Sequence, residues 1–131
     1  MSHPGGGSDP RRSPLQARGV HHVSLMVTDA AASTRFYTEV LGFEQIARPD
    51  FPFDGAWLTI GAQQVHLLET DEFEAPEGQH FALEVADLDA ALDVLAGHGV
   101  EASAAKEIEG VCRQSFLRDP TGNLIELNQP L

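Results

Sequence analysis

Between Gly19 and Asn128 the apolar positions fall into short runs of period two, broken twice by a stretch of helical period, and the whole succession occurs twice. Val23, Leu25 and Val27 alternate with His22, Ser24 and Met26, and Phe81, Leu83 and Val85 alternate with His80, Ala82 and Glu84. Such alternation predicts a strand with one face buried. Each strand runs into an aspartate, Asp29 or Asp87, of the type that caps a helix N-terminus. Phe36, Tyr37, Val40 and Leu41 then predict a helix over 30–41 closed by Gly42, and Leu88, Ala91, Leu92 and Leu95 one over 88–96 closed by Gly97 or Gly99. Three further strands follow each helix. In the first copy they are expected at 43–47, 56–60 and 64–69, the last two joined around Gly61. In the second they are expected at 100–104, 113–117 and 124–128, the last two joined by Asp119-Pro120-Thr121-Gly122. Each copy therefore reads βαβββ, and the fold class is α+β.

An internal repeat of this kind means two copies of one supersecondary unit. A chain of 131 residues is large enough for one core, so the two modules, about 20–70 and about 79–131, must share it. Residues 1–18 carry Gly5-Gly6-Gly7, prolines at 4, 10 and 14 and almost no apolar content, the composition of a disordered tail. Three of the eight basic residues, Arg11, Arg12 and Arg18, lie in that tail, so the domain at 19–131 is more acidic still than the net charge of −12 indicates. Such a body repels nucleic acid and anionic membranes, although acidity alone also serves solubility. No apolar run is long enough for a signal-peptide core or a membrane span, which makes the cytoplasm the expected location. Cys112 is the single cysteine, so no intrachain disulfide forms.

Strand parity turns four metal-ligating residue types away from the helix-covered faces. His22 and His80 open the two modules; His66 and Glu126 occupy matching places on the closing strands, where Val65, Leu67, Ile125 and Leu127 take the apolar side. Imidazoles and a carboxylate on neighbouring strands suit a divalent first-row cation. Taken singly, the histidines also read as hydrogen-bonded interior residues and Glu126 as a salt-bridged strand residue. The repeat raises all four together.

The run His22-Val-Ser-Leu-Met-Val-Thr-Asp29, then Ser33, Phe36-Tyr37 and Val40-Leu41-Gly42-Phe43, and later Phe116-Leu-Arg-Asp-Pro-Thr-Gly-Asn-Leu-Ile-Glu126, resembles the vicinal oxygen chelate superfamily. That group includes glyoxalase I, methylmalonyl-CoA epimerase, extradiol dioxygenases, fosfomycin-resistance transferases and bleomycin-binding proteins. The resemblance implies two βαβββ modules forming a curved mixed sheet around a central cavity, helices outside. It implies His22, His80 and Glu126 as metal ligands, with His66 where glyoxalase I and the epimerase place a fourth. It also implies a homodimer in which each metal takes ligands from both chains.

The chemistry implied is a metal-dependent lyase or isomerase of glyoxalase or epimerase type. The substrate is a small molecule with vicinal oxygens, passing through a metal-stabilised enolate. The metal is nickel, cobalt, zinc, manganese or iron. Glu126 is the expected general base and Glu84, on the same strand face as His80, a second candidate. Trp57, Phe51 and Phe53 are candidates for an apolar wall, with 49–53 as a lid; His21, expected on the face opposite His22, and His98 are assigned no metal role. Met26 stands where glyoxalase I has a glutathione-binding arginine, and Phe116 where extradiol dioxygenases have a tyrosine. With all four ligands bound a tetrahedral zinc would be closed and the shell would have to expand. Without His66, two histidines and a carboxylate remain, the set of non-haem iron chemistry, so an extradiol-type dioxygenase stays open. A non-catalytic drug-binding protein is the other alternative.

Overall fold

The computed structural model describes residues 14–131. The expected tail falls largely on residues 1–13, outside that description, and 14–18 form neither helix nor strand. The first module comprises β1 (His22–Val27), α1 (Ala30–Arg35), β2 (Glu44–Ile46), β3 (Gly55–Ile60) and β4 (Gln63–Glu69). The second comprises β5 (His80–Glu84), α2 (Leu88–Gly97), β6 (Lys106–Ile108), β7 (Cys112–Arg118) and β8 (Leu124–Pro130). Each module closes its own four-stranded mixed sheet, ordered β1-β4-β3-β2 and β5-β8-β7-β6, with β1 parallel to β4 and β5 parallel to β8. The two βαβββ modules expected from the alternation are present.

The same two devices start both helices. Asp29 accepts from Ala32 N–H and Asp87 from Ala90 N–H, while a side chain from the closing strand takes the first helical N–H. Glu69 Oε2 accepts from Ala30 N–H and Gln129 Oε1 from Leu88 N–H, each at 2.8 Å. The strand faces turned to the helices carry the expected apolar residues, with Val27, Leu58, Val65 and Leu67 buried in the first module and Leu83, Leu117, Ile125 and Leu127 in the second. They belong to one continuous core.

Two elements differ from expectation. The first helix is α-helical only to Arg35 and continues as a π-helical turn, Phe36–Val40, in which Leu41 N–H donates to Phe36 O. The wider turn buries the consecutive rings of Phe36 and Tyr37 together, and Gly42 at φ +79° ends it. The strand expected at 100–104 is absent. Ala102 makes a single bridge to Leu117, and at Ser103 side chains enter the pairing: its N–H donates to Phe116 O and its hydroxyl accepts from Phe116 N–H, each at 2.9 Å, while Ser115 Oγ donates to its carbonyl. Regular pairing begins only at Lys106.

The modules are joined by the turn after β7. Buried Asp119 accepts through Oδ1 from the N–H groups of Thr121, Gly122 and Asn123, and through Oδ2 from Tyr37 OH at 2.8 Å and Asn123 Nδ2 at 2.9 Å. Asn123 Nδ2 also reaches Met26 O, and Thr28 N–H donates to Thr121 Oγ1. The Asp-Pro-Thr-Gly-Asn motif of the second module is thereby locked onto β1 and the π turn of the first.

Candidate metal centre

Both sheets place a histidine and a second ligand-type residue by the same geometry. In the first module His22 is the cross-strand partner of Gln64 and Ser24 that of His66; in the second His80 pairs with Leu124 and Ala82 with Glu126. Each opening histidine therefore stands diagonal to the candidate on the closing strand, within reach of a long side chain. The residue directly across from that candidate is small, Ser24 or Ala82, which leaves the imidazole room to lean over. An aromatic residue flanks the other side: Trp57 is the β3 partner of His66 and Phe116 the β7 partner of Glu126.

His66 is 7 % exposed, with its ring stacked between His22, at 4.0 Å between centroids, and Trp57, at 4.2 Å. Its Nε2 lies 2.8 Å from Gln64 Oε1. Burial, then the neighbouring His22 and His21, holds its pKa below the ordinary histidine value. That shift favours the neutral imidazole, the form that ligates a metal. His21 precedes β1, so strand alternation does not carry it to the far face as expected; its Nδ1 lies 2.9 Å from that of His22.

Glu126 is 8 % exposed. Its Oε1 lies 3.1 Å from His80 Nε2, and its Oε2 accepts from Asn128 Nδ2 at 2.7 Å. His80 Nδ1–H donates to Gly78 O at 2.8 Å, which fixes the ring and leaves Nε2 aimed at the carboxylate. A backbone carbonyl on the far nitrogen is the usual outer support of a metal-bound histidine. An imidazole lone pair and a carboxylate oxygen repel unless a proton or a cation joins them. Adjacent ligands at about 2.1 Å from one cation stand about 3 Å apart, so the pair is spaced as two ligands of one ion. The donor set fits a divalent metal.

The four candidates form two pairs: among the described residues no three His, Cys, Asp or Glu side chains gather closely enough to hold a metal. Ser24, His80 and Asn123 line a cavity of about 160 Å³ between β1 and β5. Glu84, by contrast, is exposed at the rim of a separate cleft of about 450 Å³ between the apolar edges of the modules, lined by none of the four candidates. Gln64 and Asn128 are the polar supports that sequence reasoning passed over. Each lies two residues from a ligand candidate on its own strand, and that parity was the available signal. No helix among the described residues is long and apolar enough to cross a membrane.

Comparison with known proteins bears on the whole of this architecture. Residues 19–127 match the model of the Glyoxalase/Bleomycin resistance protein/Dioxygenase superfamily. A protein of Arabidopsis thaliana named Glyoxylase I 4 is 31 % identical over 126 residues, covering 88 % of this chain and 72 % of that protein. The crystal structure of a glyoxalase family protein from Bacillus anthracis superposes with a TM-score of 0.79 at 24 % identity, covering 88 % of this chain and 97 % of the other. The fosfomycin resistance protein FosX from Listeria monocytogenes, in its complex with Mn(II) and a dihydroxypropylphosphonic acid, superposes with a TM-score of 0.78 at 20 % identity, covering 88 % of this chain and 94 % of the other. The structural matches speak to the fold, the sequence matches to descent. The chain belongs to the glyoxalase/bleomycin resistance protein/dioxygenase superfamily.

Proposed function

We propose that the protein is a metal-dependent lyase or isomerase of glyoxalase type, acting as a homodimer on a small substrate with vicinal oxygens. In this reading His22 and His66 of one chain and His80 and Glu126 of a second hold one divalent ion. The observation that carries it is the pair of half-sites: two candidates in each module, set by the same diagonal register, neither pair sufficient alone. FosX, which shares this fold, is found in complex with Mn(II), and that supports a metal-binding role.

A divalent ion bound there supplies Lewis acidity toward two neighbouring substrate oxygens and stabilises the negative charge that grows on them. The chain's residues do the rest. Asn128 holds Glu126 Oε2 and leaves Oε1 toward His80; on leaving the ion, that oxygen would take a proton from the carbon next to the substrate oxygens and return it at the product carbon. Glu84, exposed and lining the other cleft, is the second and weaker candidate for that proton transfer. Trp57 and Phe116 flank the two halves with apolar surface that excludes water. A cytoplasmic location completes the reading.

A second reading rests on Gln64. Its bond to His66 Nε2 holds that imidazole within the sheet and leaves His22, His80 and Glu126 as the ligands, a set suited to iron and an extradiol-type reaction. Elemental analysis of protein purified without chelator separates these. About one nickel, cobalt, manganese or zinc per chain, lost in His80→Ala, supports the lyase or isomerase; iron with catechol-dependent oxygen uptake supports the second reading. Protein that takes up no metal after reconstitution contradicts both and favours a drug-binding role.

A further inference from the structure

A stack of aromatic rings leads from the first half-site to solvent. His22 lies on His66, His66 on Trp57, and the Trp57 ring is 6.3 Å from that of Phe51, which is paired with Phe53 at 5.4 Å and 8° between planes. The outer two rings are 40 % and 41 % exposed, an arrangement that costs free energy unless something covers them. They are nevertheless held in place. Arg48 lies 5.0 Å from the Phe51 centroid and 5.2 Å from that of Phe53, and its Nη2 donates to Phe53 O at 2.6 Å. Phe51 N–H donates to Pro49 O, and Glu69 N–H to Asp54 O, so both ends of the loop are tied down. Gly55 lets it pass close to β4, where a Cβ would collide with the Leu67 carbonyl. A rigid loop presenting paired rings binds a flat apolar group without a large ordering cost.

We propose that Phe51, Phe53 and Trp57 form the specificity wall of the site and take an uncharged aryl group carried next to the substrate's vicinal oxygens. The proposal rests on the metal-centre reading for the position of those oxygens. The charge nearby fits a neutral group: Asp50 and Asp54 adjoin the two phenylalanines in sequence, and the Arg48 guanidinium is already engaged. An anionic conjugate would meet repulsion there.

The test compares 2-hydroxyacetophenone with hydroxyacetone, which share the same two oxygens and differ in phenyl against methyl, by ligand-observed NMR titration of the metal-loaded protein. The phenyl compound is expected to bind at least about tenfold more tightly, and the Phe51→Ala/Phe53→Ala variant to bring the two within about threefold. Equal binding in the parent, an undiminished preference in the variant, or no binding of either compound overturns the proposal. So does a variant that becomes monomeric where the parent is a dimer, since the rings then serve the subunit contact. Repeating the titration after chelation separates the two claims. If chelation weakens neither compound while the phenyl preference persists, the metal centre fails and the aryl wall stands; if chelation weakens both and no preference exists, the reverse holds.

Discussion

Asn128 and Tyr37 show how single polar side chains set up this molecule. Asn128 Nδ2 fixes one oxygen of Glu126, so Asn128→Ala should lower metal affinity about tenfold without unfolding the protein, whereas Glu126→Gln should abolish retention; calorimetric metal titration reads both. Unchanged affinity in Glu126→Gln would remove Glu126 from the proposed ligands. Tyr37, the single tyrosine, donates to buried Asp119, and burial first, then that carboxylate, raises its pKa far above the ordinary value. Free tyrosine ionises near pH 10, so above about pH 10 the unfolded chain releases a proton that the folded chain keeps. Stability therefore falls as pH rises through that window, by up to about 1.4 kcal/mol per pH unit from this group. Tyr37→Phe should be less stable at neutral pH by about 1–3 kcal/mol, because Asp119 loses a partner, and should show a shallower alkaline decline in urea melts. Parallel pH profiles for the two proteins would contradict this account of the junction.

At the scale of elements, Gly55 is the sharpest point. Its position at the start of β3 admits no Cβ because the Leu67 carbonyl stands in the way, so Gly55→Ala should cost about 1–3 kcal/mol and shift the 48–54 loop, seen as a lower melting temperature and changed Trp57 fluorescence. A melting temperature and emission spectrum like the parent's would show that β3 and β4 part without cost. Element order and the turn of His22, His66, His80 and Glu126 away from the helices were legible because period-two alternation at Val23–Val27 and Phe81–Val85 carries register directly. The strand at Lys106–Ile108 was not. Its residues have no alternation to read, and the apolar run at 100–104 that imitated a strand makes only one bridge, at Ala102, with side-chain hydroxyls taking part in the bonding around Ser103. The π turn was hidden for a related reason: Phe36 and Tyr37 fit an α-helical stripe, and the partner of the Tyr37 hydroxyl, Asp119, lies 82 residues away. His66 was legible as a candidate but its bond to Gln64 was not, since sequence shows shared parity and not which polar atoms meet.

At the scale of the whole molecule, the Asp119 turn fixes one module on the other while leaving the four ligand candidates as two separated pairs. Asp119→Ala should therefore uncouple the modules, leaving three backbone N–H groups and Tyr37 OH without their acceptor, and should broaden thermal unfolding; a single sharp transition at the parent's temperature would contradict it. In the proposed reading, each half-site of one chain is completed by the complementary half-site of a second chain. The direct measurement mixes His22→Ala protein with Glu126→Ala protein, exchanges subunits, and counts bound metal against the unmixed variants. In a mixed dimer one site collects both substitutions and the other collects neither, so random exchange should restore about a quarter of the parent's metal sites where each variant alone holds none. No recovery after demonstrated exchange, or full metal binding by either variant alone, would contradict a metal centre shared between two chains.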